Sequence, residues 1–383
     1  MDAFAGAVGV SDSDGKGTPV YSVCQPINGA NQYYYAYIVR EMARTQWIAA
    51  LATGIRERST DFRYNTFANQ LIPLPPPDEQ AAIVTFLDAA ETRIRRYIRA
   101  KQKLIKLLNE QKQAIIQQAV TRGLNPDAPM KDSGVEWLGE IPSHWEVRRF
   151  KFTCQITSGQ IDPREMSYRD HVLIAPNHIE SGTGRLLYTE TADEQGAISG
   201  KYFVKDGQVI YSKIRPNLRK VTIAPFDCLC SADMYPITPN NQQIKPNYLM
   251  MLLLSKQITQ FLVDASLRVA MPKVNREVLT NCWLWYPSVE EQDIIMKYLD
   301  DKFSPLDIAI EFAKNQIALI REYRTRLIAD VVTGKVDVRG LTFAMPEAFD
   351  EDGLLDVDED DGYLDDSLLD EDELEGMDDE QPD

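Results

Sequence analysis

Pro75-Pro-Pro-Asp-Glu-Gln80 returns 212 residues later as Pro287-Ser-Val-Glu-Glu-Gln292, and this repeat indicates how the chain is organised. The same offset carries Phe86-Leu-Asp88 onto Tyr298-Leu-Asp300, and no gap is needed across the intervening positions. Self-similarity at a fixed spacing is typical of a duplicated structural unit. The sequence therefore predicts two copies of one architecture in a single chain.

Both copies continue into a long helix with a single apolar stripe. In the first copy the stripe residues are 7, 4, 7, 3 and 7 positions apart, which is the spacing of a coiled-coil seam. The second stripe matches it, so we expect the two helices to pair as an antiparallel spacer with one globular module at each end. The residues predicted to pair the helices are Leu87, Ile94, Ile98, Ile105, Leu108 and Ile115 in the first copy, and Leu299, Leu306, Ile310, Ile317, Ile320 and Leu327 in the second.

Start and stop signals bound these helices. The first helix follows a triple proline and should end near Gly123 and Pro126. In the second copy, Ser304-Pro305 has the character of an N-cap followed by the first helical residue. We therefore expect a short helix over Glu290–Lys302, a break, and a long helix from Pro305.

A module of mixed α/β composition lies between the helices. Strands are predicted at 172–175, 208–212 and 220–224, and a helix at 248–264. The start of the chain matches only the second half of this module, with Tyr34 corresponding to Tyr248. About 68 residues are missing from the first copy by this alignment, so we expect a module cut short at its N-terminus.

Charge is distributed unevenly. The net charge is -17, but residues 341–383 hold 20 Asp and Glu and no Lys or Arg, which leaves 38 acidic against 41 basic residues in the body. The body is thus compatible with nucleic-acid binding. The acidic segment is expected to be disordered and solvated, although its leucines could dock on a partner or its charge could compete with DNA for basic surface.

Catalytic and metal-binding patterns are weak. Gly9–Lys16 resembles a phosphate loop but has one residue too many between its glycines, and Gly17 stands where Ser or Thr should bind magnesium. The histidines His144, His171 and His178 lack the spacing of a metal pair. An enzyme of unfamiliar type therefore has little support, and no metal site is predicted.

The cysteines and apolar runs suggest a cytoplasmic protein. Five cysteines form no metal or redox motif, so we expect reduced thiols. The longest strongly apolar stretch, 248–254, is far shorter than the ~20 residues that a membrane span needs.

Basic loops are the positive signal. In the loop 211–220, four basic side chains are predicted to contact DNA phosphates. Asn217 in the same loop is predicted to hydrogen-bond the edge of a DNA base. For any one cluster, a solvated basic face is an equally good interpretation. The candidate DNA-binding residues are Lys213, Arg215, Asn217, Arg219 and Lys220; Lys273, Asn275 and Arg276; Arg148, Arg149 and Lys151; and Arg56, Arg58 and Arg63 in the first copy.

These residues resemble the specificity subunits of type I restriction-modification systems over residues 1 to about 338. The most specific matches are 72–88, Ala119-Val-Thr-Arg-Gly-Leu124 and Met130–Trp145, while 213–220 and Met271-Pro-Lys-Val-Asn275 look like the family's DNA-reading loops. The short first copy and the acidic segment depart from the family's pattern.

The resemblance implies a mixed α/β (α+β) fold with two target recognition domains, the first partial, separated by two long antiparallel coiled-coil helices. It implies a non-catalytic subunit that reads a split target in double-stranded DNA, with two methyltransferase subunits and restriction subunits as partners. S-adenosylmethionine, ATP and Mg would belong to those partners, with no cofactor in this chain. The expected domains are 1–73 and 125–286 for recognition, 74–124 and 287–338 for the helices, and 339–383 for the tail. The alternative is a truncated remnant that no longer reads DNA, or a coiled-coil assembly scaffold.

Overall fold

The structure is a computed structural model of the 383-residue chain and describes residues 8–17, 22–51, 64–266, 273–347 and 349. Its described residues form two compact units. The first unit takes the chain up to Lys106 and resumes at Ala309, and the second unit comprises Leu107–Ile308. The division falls within both long helices, so the predicted domain boundaries stay predictions.

Two long helices supply residues to both units. Helix α4 runs over Pro77–Arg122 and helix α8 over Val289–Val332. In the first unit, Leu87 from the start of α4 packs in one cluster with Val331 from the end of α8. In the second unit, Val120 from the end of α4 packs in one cluster with Leu299 from the start of α8. The helices thus run antiparallel in each unit, as predicted.

The residues of the predicted stripe are all buried or half-buried. Position by position, all twelve side chains are shielded from solvent to some degree, which agrees with a seam rather than a solvated face. Leu87, Ile94, Ile98, Leu299, Ile310, Ile317 and Ile320 are buried, and Ile105, Leu108, Ile115, Leu306 and Leu327 are half-buried.

The predicted break at Ser304-Pro305 is wrong. Helix α8 is continuous, with Pro305 inside it. A proline removes one amide donor and leaves the carbonyl four residues earlier, on Asp301, without its helical partner. Both residues are exposed, so water can satisfy that carbonyl. The buried residues Leu299 and Ile310 hold the helix on either side of the proline.

Short helices complete the first unit. Helix α1 begins after Asn31, whose side chain accepts hydrogen bonds from the backbone N–H groups of Tyr33 and Tyr34. This N-cap satisfies amide donors that the first helical turn leaves free. Tyr34 then packs against Leu87 in the core. The helices are α1 at Gln32–Arg44, α2 at Trp47–Leu51 and α3 at Tyr64–Ala68.

Small sheets dominate the second unit, which confirms the mixed α/β prediction. A four-stranded antiparallel sheet has the order β4-β10-β7-β8, where β4 is Cys154–Ile156, β7 is Val209–Ser212, β8 is Val221–Ile223 and β10 is Met234–Pro239. A three-stranded sheet places β9, Cys228–Cys230, between β5, Leu173–Ile174, and β6, Tyr202–Val204. Two pairs join β1, Met130–Asp132, to β2, Glu140–Pro142, and β3, Glu146–Arg149, to β11, Trp283–Tyr286.

The predicted helix at 248–264 is two helices. Helix α5 covers Pro246–Leu254 and helix α6 covers Lys256–Ser266. Ser255 between them is extended, with φ -67° and ψ 150°. Its hydroxyl donates to the carbonyl of Leu252 at 2.6 Å, a local bond that competes with helix continuation. A third helix, α7, covers Arg276–Asn281.

The prediction of a disordered tail from 339 is wrong for its first residues. Phe343 is 3% exposed and packs edge-on against Phe86, with ring centroids 5.7 Å apart. Phe349 packs against Tyr97 at 5.4 Å. These two aromatic rings bury enough apolar surface to order an otherwise acidic segment. The remainder of the predicted tail, 350–383, lies outside the described residues.

Among the described helices, none combines the length and apolar character required to cross a membrane.

Candidate nucleic-acid interface

The predicted basic loop is the hairpin turn between β7 and β8. The backbone N–H of Ser212 donates to the carbonyl of Lys220 at 2.9 Å and closes the turn. Arg215 and Arg219 flank a single 3-10 turn, and both are left-handed, with φ of 47° and 50°. The left-handed conformation costs free energy for a residue other than glycine, and residues held in it are concentrated at functional sites. The turn leaves Asn217 exposed at its tip.

The second predicted loop lies beside the first. The backbone N–H of Val274 donates to the carbonyl of Lys213 at 2.7 Å, and Ile214 forms a β-bridge with Lys273. The hydroxyl of Tyr235 donates to the carbonyl of Val274 at 3.2 Å. Two segments that are far apart in the sequence therefore form one basic surface.

One acidic and one aromatic residue organise the charges of this surface. The Nζ atoms of Lys213 and Lys273 lie 3.8 and 3.1 Å from Asp233. Lys213 and Arg276 also lie over the ring of Tyr235, at 5.5 and 5.7 Å from its centroid. Burial lowers the pKa of Lys213, and the Asp233 carboxylate opposes that shift. Two lysines thus share the Asp233 carboxylate, with Arg276 nearby over the same ring, and the surface keeps a positive balance.

Several predicted DNA contacts have intramolecular roles. Arg219 donates to Oε1 of Gln113 on α4 at 2.6 Å, and burial lowers its pKa. Arg276 donates to the carbonyls of Ile156 and Thr157 at 3.1 and 2.9 Å. These two guanidinium groups position the loops within the protein, which differs from their predicted role as phosphate clamps.

Asn275 and Lys213 are also engaged. Asn275 is the N-cap of α7, because its side chain accepts from the backbone N–H of Val278 at 2.8 Å. The Nζ of Lys213 donates to the carbonyl of Ala232, and the side chain is only 17% exposed. Among the other predicted residues of these loops, Arg215, Asn217 and Lys273 are exposed, and Lys220 is half-buried.

The third predicted cluster lies at the other end of α7. Arg149 donates to the carbonyl of Asn281 at 2.9 Å and lies 4.4 Å over the ring of Trp283. Lys151 is 3.5 Å from Oδ1 of Asn281, and Arg148 pairs with Glu146 at 3.0 Å. Because α7 runs from Arg276 to Asn281, the two clusters flank opposite ends of a helix only ~8 Å long.

Arg56, Arg58 and Arg63 lie outside the described residues. Sequence reasoning missed Gln113, Asp233 and Tyr235, which orient the basic side chains from distant segments. Of these three, only Asp233 had a sequence signal that could have suggested its role, because it is an acidic residue next to the strand Met234–Pro239. Within the described part of the chain, no group of three or more His, Cys, Asp or Glu could hold a metal ion.

The part of the chain that carries these clusters is similar to a DNA specificity domain. The family model for the type I restriction modification DNA specificity domain matches residues 142–320, which include all three clusters. Over this range the chain is similar to the specificity subunits of type I restriction-modification systems.

Individual relatives agree with this assignment. The chain is 27% identical over 345 residues to the type I restriction enzyme EcoDI specificity subunit of Escherichia coli, covering 84% of this chain and 77% of that protein. It is 25% identical over 292 residues to the MjaVIII specificity subunit of Methanocaldococcus jannaschii, covering 72% and 64%. A solved chain concerned with assembly and conformational transition of the type I R-M system shares the fold, with TM-score 0.57, 18% identity, and 80% and 72% coverage.

Proposed function

We propose that the chain selects the DNA target of a type I restriction-modification complex, and that the hairpin turn between β7 and β8 is one of its reading surfaces. The observation that carries this proposal is the junction of the turn with the segment 273–276, inside the residues matched by the DNA specificity family. The exposed tip residue Asn217 has both a donor and an acceptor for a base edge. The match of residues 142–320 to a DNA specificity domain favours a reading function over the scaffold alternative.

The residues divide into those proposed to contact DNA and those proposed to hold the loops. Arg215 and Lys273, which are exposed, and Lys220, which is half-buried, are proposed to contact phosphates. Arg219 and Arg276 are proposed to hold the turn in place, because they donate to Gln113 and to the backbone carbonyls of 156 and 157. Phosphate contacts supply affinity that depends on salt, and base contacts supply sequence choice.

The test uses the chain assembled with its methyltransferase subunits and a library of duplex DNA. Arg215→Ala and Lys220→Ala should each weaken binding to all sequences and lower the salt slope by about 1. Asn217→Ala should instead change the preferred base at one position, by ~1–3 kcal/mol of discrimination. Lys205→Ala is the matched control, because Lys205 is exposed at the opposite end of β7.

Two results would contradict the proposal that this chain reads DNA sequence. If Arg215→Ala and Lys220→Ala both keep the affinity and salt slope of the unmodified chain, the turn is not at the interface. If the assembled complex forms but selects no motif from the library, the chain is a scaffold.

The finer features of the family are part of the same proposal. We infer that the target is split, and that two methyltransferase subunits and restriction subunits assemble with this chain. S-adenosylmethionine, ATP and Mg would be bound by those subunits, and this chain would catalyse nothing. Incubation of the chain alone with duplex DNA and these cofactors should therefore yield neither methylation nor cleavage.

An exposed apolar pair on α8 supports partner docking. Phe312 and Leu319 are 62% and 58% exposed and lie seven residues apart, on one face of the helix. Large apolar side chains exposed on one helix face are typical of a surface that another helix covers. Phe312→Glu should weaken assembly with methyltransferase subunits in sedimentation experiments, whereas Glu311→Ala, at the adjacent exposed position, should leave assembly unchanged.

A further inference from the structure

A dense run of positive charge lies on α4 within the first unit. Between Thr92 and Asn109 the sequence has seven Lys and Arg and no Asp or Glu. Five of them fall within about 100° of the helix circumference at 100° per residue. We call these five the basic face: Arg95, Arg96, Arg99, Lys103 and Lys106. Four are exposed and Arg99 is half-buried.

The helix pair leaves this face on its outer side. The apolar residues Ile94, Ile98 and Ile105 occupy a different part of the circumference and face the core, where Ile94 and Ile98 are 1% and 3% exposed. Glu91 precedes the run and already pairs with Arg324 at 2.7 Å and with Arg95 at 3.4 Å. Seven positive charges within about 20 Å of helix repel one another and favour a polyanionic partner.

The chain brings such a polyanion to the same place. After α8, the segment 341–349 returns along α4, where Arg93 donates to the carbonyl of Phe343 at 2.5 Å. Phe349 then packs against Tyr97 at 5.4 Å and against Tyr323 at 6.4 Å. Tyr97 lies within the basic run along the sequence and about 100° around the helix from Arg96. The segment that follows Phe349 therefore starts at the level of the basic face along α4, on a neighbouring side of the helix.

The charge and length of the following residues fit this surface. Residues 350–383 contain 19 Asp and Glu and no Lys or Arg. A fully extended chain of this length can span up to ~110 Å. Only a small part of the segment is therefore needed to cover a helix face about 20 Å long. Attachment at Phe349 gives the acidic segment a high effective concentration at that face.

We propose that residues 350–383 bind the basic face of α4 within the same molecule and shield it from other polyanions. The consequence is that non-specific duplex DNA is kept from α4, so that binding depends on the recognition surface. This proposal is independent of which residues read the target. A basic face that instead binds DNA or an acidic partner protein directly is the competing outcome.

Zero-length crosslinking of the full chain tests the contact directly. A carbodiimide should join Lys103 and Lys106 to carboxylates within 350–383, in a monomeric product identified by mass spectrometry. Lys302, which is exposed on α8, serves as the control amine. Crosslinks that are no more abundant at Lys103 and Lys106 than at Lys302 would overturn the proposal.

Binding of a random-sequence duplex tests the shielding. A chain that ends at Phe349, and a full chain with the acids of 350–383 changed to Asn and Gln, should each bind random duplex at least about tenfold more tightly at low salt. Adding Arg96→Gln, Lys103→Gln and Lys106→Gln to either should abolish that gain. If shortening and neutralisation leave the random-duplex affinity unchanged, nothing is shielded; if the gain survives the α4 substitutions, the tail covers another surface.

Discussion

Oε1 of Gln292 accepts a hydrogen bond from the backbone N–H of Lys245 at 2.9 Å, and Gln80 makes the matching contact with Asn31 at 2.7 Å. Both acceptors are the glutamines that end the repeated sequences Asp78-Glu-Gln80 and Glu290-Glu-Gln292. Both donors lie immediately before a helix. Gln292 also donates to the carbonyl of Pro287 at 3.0 Å. In each copy the glutamine therefore joins the start of a long helix to the residue that precedes a shorter helix, α5 or α1.

Loss of this glutamine should destabilise the unit that contains it. Gln292→Ala leaves buried backbone groups unpaired, and we expect a cost of about 2 kcal/mol in the free energy of unfolding. Hydrogen exchange at α5 amides should accelerate accordingly. The matched variant Gln80→Ala should act on α1 instead, and equal exchange at α5 in Gln292→Ala and the unmodified chain would contradict the prediction.

The ion pair between Glu91 and Arg324 should contribute measurably to helix pairing. Their side chains are 10% and 28% exposed and 2.7 Å apart. Arg324→Met should lower the free energy of unfolding by about 1–2 kcal/mol, less than for a fully buried pair because Arg324 is partly solvated. The exposed Arg326→Met is the control and should cost under about 0.5 kcal/mol.

The second copy suggests a rescue for this pair. At the same offset, Phe303 stands in place of Glu91 and Lys112 in place of Arg324, with Nζ 4.8 Å from the ring centroid. The double variant Glu91→Phe with Arg324→Lys should therefore recover part of the loss seen in Glu91→Phe alone. Additive losses in urea unfolding would show that the two sites are not equivalent.

The repeat and the helix stripes were predictable because they are patterns along the chain. Apolar spacing reports which side of a helix is buried, and Leu87 and Leu299 are indeed at 0% exposure. The capping signal at Ser304-Pro305 was misleading because burial on both sides, at Leu299 and Ile310, outweighs one lost hydrogen bond. Local preference yields to tertiary packing at that position.

The recognition surface could be predicted only in part. Clusters of Lys and Arg are visible in the sequence, but the junction of Lys213 with Val274 is a tertiary contact that no local pattern reports. The same limit concealed Gln113 as the partner of Arg219. In the tail, composition concealed Phe343 and Phe349, because two aromatic residues barely change the average of an acidic segment.

Alkaline pH should destabilise the second unit. Burial raises the pKa of Cys228 and Cys282 to about 12 and raises that of Tyr248 well above its usual value. Unfolded thiols ionise near pH 8.5, so the folded state holds these protons more tightly. Its stability is therefore complete below about pH 8.5 and declines as the pH rises further. Urea unfolding at pH 7 and pH 10 should show the decline.

Alkylation should distinguish the cysteines of the two units. Cys24 is exposed, whereas Cys228, Cys230 and Cys282 are buried. At pH 8 a thiol of pKa about 12 is ionised in about one molecule in ten thousand. Iodoacetamide should therefore modify Cys24 first and reach the buried thiols only after unfolding. Rapid modification of Cys282 in the folded chain would contradict its burial.

Replacement of Pro305 should stabilise α8. Pro305→Ala restores an amide donor for the carbonyl of Asp301 without removing a core contact, because residue 305 is exposed. We expect a gain of about 1–3 kcal/mol in the free energy of unfolding, since proline is disfavoured by about 3 kcal/mol within a helix. Ser304→Ala is the adjacent control and should change stability by less than about 0.5 kcal/mol. The measurements are urea unfolding and hydrogen exchange of the amides of residues 303–309. A loss of stability in Pro305→Ala would contradict the prediction and would mean that the proline bends α8 to fit the residues packed against it.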